Sequence, residues 1–312
     1  MDKQQAKPKV MVIGSFNMDL SMRTPHMPAA GETILGGPFT TGPGGKGANQ
    51  AVAAARLGAQ TTMLVRLGHD VFGDTAAGNL QNEGISGEYI LRTEDAHTGV
   101  AFIIVDDAGE NMIVVASGSN FKITPTDVEQ ARAAIEAADI LLMQLEIPLD
   151  AVIAAARIAH AAGVRVVLNP APGQVLPDEL LRMVDVLTPN ETETQIITGM
   201  PVGNVEEAEA AAARLIETGV GAVVITLGSK GALVATRAGA ARVPGYRVSV
   251  VDTTGAGDAF SGALAVALAE GKSLEQAASF ANAAAALQVT KPGTAPAMPH
   301  RAEVNALITA QS

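Results

Sequence analysis

The sequence predicts an α/β fold, with a central, mostly parallel sheet flanked by helices and a small inserted β-sheet beside it. Three observations carry this. Short β-branched apolar runs alternate with longer Ala-rich segments of helical period. The runs are close to continuously apolar, as strands buried on both faces are. Two further segments break the alternation and carry strand and turn residues instead.

The expected strands are KVMVIGS (9–15), TTMLVRLG (61–68), DILLMQLE (139–146), VRVVLNP (164–170), DVLTPNE (185–191) and AVVITLGSKG (222–231). Between them lie the expected helices GANQAVAAARLG (47–58), DTAAGNLQNEG (74–84), TDVEQARAAIEAA (126–138), LDAVIAAARIAHAAG (149–163) and VEEAEAAAARLIETG (205–219). Gly58, Gly84, Gly163 and Gly219 each close a helical pattern, where a glycine just past the last turn belongs. The Ala-rich stretch 277–286 is expected as a closely packed helix. Residues 18–41 are rich in Gly, Pro and Thr without helical period, and 98–117 reads as two strands joined by the turn Asp107-Ala108-Gly109-Glu110. The expected organisation is an α/β body of residues 1–16, 42–97 and 118–312, with residues 17–41 and 98–117 forming a small β lid. The competing arrangement is an antiparallel edge extension of the main sheet.

Composition narrows the function. A chain of 312 residues buries about 70–75% of its unfolded surface, enough for a sizeable core. The formal charge of −11 and the lack of a dense Lys/Arg run argue against nucleic acid as a partner, and Lys3, Lys7 and Lys9 are expected to form a short solvated tail. Cysteine is absent, which excludes a disulfide scaffold, cysteine-ligated metals and thiol catalysis, and fits a cytoplasmic setting. No apolar run of about 18 residues exists, so no membrane span and no membrane partner is expected. With no Trp and 3% aromatics, stacking on aromatic platforms is not expected to dominate recognition. His26, His69, His97, His160 and His300 are scattered without metal-ligand spacing.

In open α/β sheets, ligands bind beyond the carboxyl ends of the strands. Here those ends carry Asn17 and Asp19, Glu146, Asn169, Asn190 with Glu193, and Thr226 with Ser229, which together form a polar edge. Two glycine-rich loops open helices at the same level. The first, Gly42-Pro43-Gly44-Gly45-Lys46-Gly47-Ala48-Asn49, matches G-x-G-x-x-G only formally, because it does not directly follow the first strand and no acidic residue ends the next one. Its physical content is a helix N-terminus whose N–H groups and Lys46 suit an oxygen-rich ligand. In the second, Asp252-Thr253-Thr254-Gly255-Ala256-Gly257-Asp258, successive N–H groups of Gly255, Ala256 and Gly257 can hold an anion at a helix start. A carboxylate beside an anion site suits proton acceptance from a hydroxyl that attacks a phosphoryl group. The alternative role for Asp258 is ordinary capping of the helix.

GGKGANQAVAAARLGA (44–59) and VDTTGAGDAFSGAL (251–264) resemble the two signatures of the ribokinase family of carbohydrate kinases. MQLE (143–146), NPAP (169–172), TPNETE (188–193) and ITLGSKG (225–231) fall between them in the family's order, so the resemblance covers about residues 10–300. It implies a Rossmann-like, ribokinase-like fold and an ATP-dependent kinase that phosphorylates the 5-hydroxyl of D-ribose. A related kinase for 2-deoxyribose, fructose or another small sugar is the alternative. The resemblance further implies that Asp258 is the catalytic base and that Gly255, Ala256 and Gly257 form the anion hole. It places Asn17, Asp19, Gly45, Lys46, Asn49 and Glu146 on the sugar. Asn190, Glu193, Thr226, Gly228, Ser229, Gly231 and Asn282, with Gly257, fall to ATP, which brings Mg²⁺. Asp252, Thr254, Gln288, Lys291, Gly293 and Ala297 match a loop for a monovalent cation, expected to be K⁺, although Ala297 stands where a Ser is often found. The lid implies a homodimer. A non-catalytic sugar or nucleotide sensor and a dehydrogenase are the readings from other classes.

Overall fold

Thirteen strands form among residues 7–311, the part of the chain that this computed structural model describes. Lys3 lies outside the described residues; Lys7 and Lys9 are exposed, and Lys9 already begins the first strand. In chain order the strands are β1 (Lys9–Ile13), β2 (Asn17–Thr24), β3 (Phe39–Gly44), β4 (Gln60–Gly68), β5 (Ile90–Thr93), β6 (Gly99–Asp106), β7 (Asn111–Ala116), β8 (Ile140–Met143), β9 (Arg165–Leu168), β10 (Val186–Leu187), β11 (Ala222–Thr226), β12 (Ala232–Thr236) and β13 (Gly239–Val243).

Nine of them make one sheet in the order β13-β12-β11-β10-β9-β8-β1-β4-β5. Every pairing from β11 to β5 is parallel, whereas β12 and β13 add on antiparallel. The apolar continuity of the strands follows from burial on both faces. In β1, Val10 and Val12 enter one core and Met11 and Ile13 the other; in β9, Val167 faces the first and Val166 and Leu168 the second. The first core is closed by the helices Lys46–Arg56, Ala256–Ala269 and Leu274–Gln288, the second by Leu149–Ala162 and Val205–Glu217 among others.

The expected helices form, and Gly58, Gly84, Gly163 and Gly219 all take positive φ, as chain-reversing glycines do. Two of the helices differ in their bounds: the helix expected from 74 starts at Val71, capped by Asp70, and the segment expected as a single helix over 126–138 splits into Pro125–Gln130 and Arg132–Glu136, with Ala131 at φ −90 and ψ 5 between them. Strands β5, β12 and β13 were not anticipated. The β12–β13 pair, ALVAT and GAARV, is Ala-rich, and alanine carries little strand preference.

The remaining four strands form a separate small sheet in the order β3-β2-β6-β7, not an extension of the main one. β6 and β7 are the expected hairpin, with Gly109 at φ 84 in its turn. Asp106 closes that turn by accepting at Oδ1 from the N–H groups of Ala108 and Glu110, both at 2.9 Å. The antiparallel partner of β2 is β3, which runs on to Gly44, so the small sheet leads without a break into the first glycine-rich loop.

Candidate active site

Chain order reverses between β1 and β8, whose neighbours continue to β4 on one side and β9 on the other. Such a switch point opens a crevice at the carboxyl ends of the strands. Ser15, just past β1, donates its hydroxyl to Glu146 Oε2 at 2.5 Å, just past β8. The same oxygen accepts from the Lys46 backbone N–H at 3.1 Å and lies 3.5 Å from Asn17 Nδ2. Gly45 precedes Lys46 at φ 88, and a side chain there would put Cβ 2.5 Å from Asn17 N, so only glycine lets the helix start this close to β2. Asn120 holds Asn17 from behind, donating to its Oδ1 and to Phe16 O at 2.9 Å each.

Asp19 lies one strand residue pair further along β2 and accepts from the Thr294 hydroxyl at Oδ2, 3.1 Å away. Burial pushes the Asp19 carboxyl up to about 6, helped by the charges of Glu146 and Asp258 and opposed by the Thr294 hydrogen bond. The folded state therefore holds this proton up to higher pH than the unfolded chain does, and Asp19 lowers stability as pH rises from about 4 to about 6. We expect Asp19→Asn to remove on the order of 2 kcal/mol of that pH dependence, read from urea unfolding of the ligand-free protein at pH 4.5 and 7.5. Equal slopes for both proteins would show that Asp19 does not titrate there.

Asp258 sits in the first turn of the helix Ala256–Ala269 and is only 5% exposed. It does not act as the helix cap; Gly255 holds that position without a side-chain hydrogen bond. Instead Asn49 Nδ2 donates to its Oδ2 at 2.8 Å and Gln50 Nε2 to its Oδ1 at 3.0 Å, both from the helix of the first glycine-rich loop. Gln50 is itself oriented, donating to Asn169 Oδ1 at 3.0 Å and accepting from Gln144 Nε2 at 2.6 Å. Two amide donors thus fix the carboxylate from below. Asn49 Oδ1 is buried and has no partner among the described residues, an acceptor that a ligand hydroxyl would satisfy.

A cavity of about 210 Å³ opens beside Asp258. Lys46, Glu193, Gly255, Ala256 and Gly257 line it together with Asp258, so the helix N-terminus, a cation and two carboxylates share one chamber. Burial alone pulls the Lys46 ammonium down, but the Asp258, Glu146 and Glu193 charges outweigh it and the net direction is up. Burial likewise pushes the Glu193 carboxyl up, against the Asn190 N–H and Lys46, which pull it back. Asn190 and Glu193 form a reciprocal cap, with Asn190 N donating to Glu193 Oε2 at 2.9 Å and Glu193 N to Asn190 Oδ1 at 2.7 Å.

Thr226, Thr253, Ala256 and Gly257 also line a second cavity of about 630 Å³, so the two are continuous. Gly228, Ser229, Gly231 and Asn282 line the larger one, with walls from Tyr246, Val250 and Phe260 that carry apolar surface. Asn282 has both amide hydrogens engaged, donating to Val243 O at 3.2 Å and Pro244 O at 3.0 Å. A small polar chamber with an anion-suited floor thus lies beside a larger, more apolar one that shares four of its lining residues, an arrangement that suits a nucleotide whose phosphates reach the chamber.

The family model described as pfkB family carbohydrate kinase matches residues 7–301. The chain belongs to this family. Against individual proteins, this carbohydrate kinase is 45% identical over 292 residues to the ribokinase of Haemophilus influenzae, covering 94% of this chain and 95% of that one. It is 42% identical over 302 residues to the ribokinase of Bacillus subtilis, with 96% and 99% covered. It is also 39% identical over 297 residues to the deoxyribokinase of Salmonella typhimurium, with 95% and 97% covered. Its fold is similar to that of Arabidopsis thaliana ribokinase complexed with ribose and ATP, at a TM-score of 0.90 and 37% identity over 97% of this chain and 99% of that one.

The structure brings together most of the site residues expected of this carbohydrate kinase, around two connected cavities. The six residues expected on a cation come from two segments beside the Gly255 turn: Asp252 and Thr254 just before the helix Ala256–Ala269, and Gln288, Lys291, Gly293 and Ala297 at and beyond the end of the helix Leu274–Gln288, where Lys291 turns its ammonium outward to Glu303 at 2.8 Å. Several residues of the site were not singled out in advance. Gln50 and Gln144, with the expected strand-end residue Asn169, position Asp258; Asn120 positions Asn17; Thr294 meets Asp19. The adjacency of Gln50 to Asn49 and of Gln144 to the Glu146 strand end was the available signal, since an amide on an otherwise apolar strand or Ala-rich helix needs a buried partner.

Proposed function

We propose that the chain transfers the γ-phosphoryl group of ATP to the 5-hydroxyl of D-ribose, giving D-ribose 5-phosphate and ADP. The observation that carries this is the buried Asp258 carboxylate, held by two amides at the edge of a chamber that a helix N-terminus and Lys46 make suitable for phosphate. In the proposed reaction the 5-hydroxyl oxygen bonds to the γ-phosphorus as the bond to the β–γ bridging oxygen breaks. Asp258 accepts the hydroxyl proton, and the electron pair leaves with ADP. The N–H groups of Gly255 and Gly257, with that of Ala256, which also reaches Thr253 O at 3.3 Å, are proposed to face the charge that spreads over the transferring group, and Lys46 to balance it.

Asn17, Asp19, Gly45, Asn49 and Glu146 are proposed to hold the sugar by hydrogen bonds. A hydroxyl-rich ligand suits them because the orphaned Asn49 Oδ1 and the Asp19 carboxylate both want donors. Thr226, Gly228, Ser229, Gly231 and Asn282 are assigned to the nucleotide. Glu193, with Asn190 beside it, is the group that fits Mg²⁺: a divalent ion bound with ATP takes one protein carboxylate plus phosphates and water, and Glu193 has only Oε2 engaged. A Mg²⁺ ion held there by Glu193 would supply charge neutralisation to the phosphates.

Ribose is favoured over 2-deoxyribose by the ribokinase relatives at 45% and 42% identity. The deoxyribokinase relative at 39% keeps the second sugar in the test. ADP release is measured across ribose, 2-deoxyribose, fructose and other small sugars, and we expect the highest kcat/KM with ribose. A clear preference for 2-deoxyribose would move the assignment to the sister activity. No ADP with any sugar, despite ribose binding by calorimetry, would make the chain a sensor.

The small sheet, residues 17–41 and 98–117 against the body 1–16, 42–97 and 118–312, is proposed as a lid that excludes water from the transfer. Its strand register sets Phe102 opposite Val114, Ile104 opposite Met112 and Met22 opposite Phe39, on the face away from Asp19. Val114 at 65% exposed, Met112 at 55%, Phe39 at 55% and Phe102 at 52% make that face an apolar one, and a second copy of the chain is the proposed cover. Sedimentation at micromolar concentration is expected to give a dimer, and Val114→Glu with Phe102→Glu a monomer; a monomeric wild type would remove this assignment. Among the described residues no helix is long and apolar enough to cross a membrane. A cytoplasmic setting is proposed from the ATP substrate and the cysteine-free composition.

A further inference from the structure

The loop expected to take a monovalent cation is already closed by the protein itself. Asp252 accepts at Oδ1 from Thr254 N and at Oδ2 from Gly293 N, both at 2.9 Å. Across the same two residues, the fully buried Gln288 donates from Nε2 to Thr254 O and, at 3.0 Å, to Gly293 O. Both peptide N–H groups and both carbonyls that meet in the loop therefore have partners. The Thr254 and Gly293 carbonyls, which a cation would need, converge on the two hydrogens of an amide instead. The donor set as it stands does not fit a bound cation, because an N–H pair occupies the point toward which those carbonyls aim.

We infer that Gln288 is a built-in substitute for the cation: its carboxamide ties the loop 290–297 to the turn that starts the helix Ala256–Ala269, and the anion-suited N–H groups of Gly255–Gly257 are ordered without K⁺. The amide lies directly under that turn, since a Cβ added at Gly255 would come 3.3 Å from Gln288 Nε2. An amide and a cation can do the same mechanical work here, because each offers positive charge density to two carbonyl dipoles that would otherwise repel each other. They differ in that the amide is covalently present and needs no ion in solution. Gln288 Oε1, buried and without a partner among the described residues, is the one group this arrangement leaves over. Gln288 is thus a positioning residue, acting on the anion site through Thr254.

The test compares KCl with choline chloride at equal ionic strength, for the wild type, Gln288→Ala and Gln288→Met. Methionine keeps the volume and removes both donors, so it remains informative if the alanine variant is too unstable to purify. The wild type is expected to show the same Tm in both salts, to within about 1 °C, and kcat changed by less than about twofold. Both variants are expected to lose about tenfold or more in kcat in choline chloride, to recover it in KCl, and to gain a K⁺-specific rise in Tm of about 2–4 °C. The inference rests on the kinase assignment only in its kcat arm; the Tm arm needs no sugar or ATP, so it stands or falls separately from the choice of substrate. A wild type whose Tm or kcat requires K⁺ overturns the inference. So does a pair of variants as indifferent to K⁺ as the wild type, which would show that Gln288 does not stand in the cation's place.

Discussion

Asp258→Ala is expected to lower kcat by about 10²–10⁴-fold, the range a positioned general base contributes, while ATP affinity stays within a few-fold of the wild type. The variant leaves Asn49 Nδ2 and Gln50 Nε2 facing a vacated site, so a stability loss of about 1–3 kcal/mol is expected alongside. Asp258→Asn separates the two effects. Its amide oxygen still accepts one of those hydrogen bonds, so stability recovers in part, yet it cannot take a proton and activity stays low. Single-turnover kinetics with calorimetric ATP titration distinguishes loss of chemistry from loss of binding. If Asp258→Ala retains wild-type turnover, the proton goes elsewhere and the assigned mechanism is wrong.

A methyl group added at Gly257 is expected to cost about 10²–10³-fold in kcat with no loss of stability. Gly257 lies in the first turn of its helix with negative φ, so alanine adopts its backbone freely, and alanine is the better helix former by roughly 0.5–1 kcal/mol. The added Cβ meets no protein atom within 4 Å. Gly257 lines both cavities where they join, so that open space is where phosphate would lie. Thermal unfolding of Gly257→Ala should match or exceed the wild type while the ADP-release assay collapses. Unchanged kcat and KM for ATP would mean that this turn is not the anion hole.

Much of this molecule is legible in its sequence for local reasons. β1 and β9 read as strands because apolar residues occupy consecutive positions, which only burial on two faces demands. Gly58, Gly84, Gly163 and Gly219 read as helix ends because their left-handed backbone excludes other residues. The β12–β13 edge was not legible, since its alanines adopt helix or strand according to what they pack against. The break at Ala131 inside an otherwise even helical pattern was equally silent.

The site divides in the same way. Asp258 and the Gly255–Gly257 turn lie within four consecutive residues, and a glycine-rich helix start with a carboxylate in its first turn has chemical meaning wherever it occurs. The partners of Asp258 come from far along the chain: Asn49 and Gln50 lie more than 200 residues away, and Gln50 answers in turn to Gln144 and Asn169. An amide carries no mark of which carboxylate it will meet, because that is decided by where two helices and two strands cross. The same holds for Gln288. Its position matches a cation loop, but only the packed structure shows an amide pointing at the Thr254 and Gly293 carbonyls. The sequence by itself determined the fold class and the glycine-rich helix start proposed to hold an anion, because periodicity and backbone freedom act over a few residues. The tertiary structure decided which side chains complete each hydrogen bond, because unpaired polar groups in a dry interior find their partners only once distant segments are brought together.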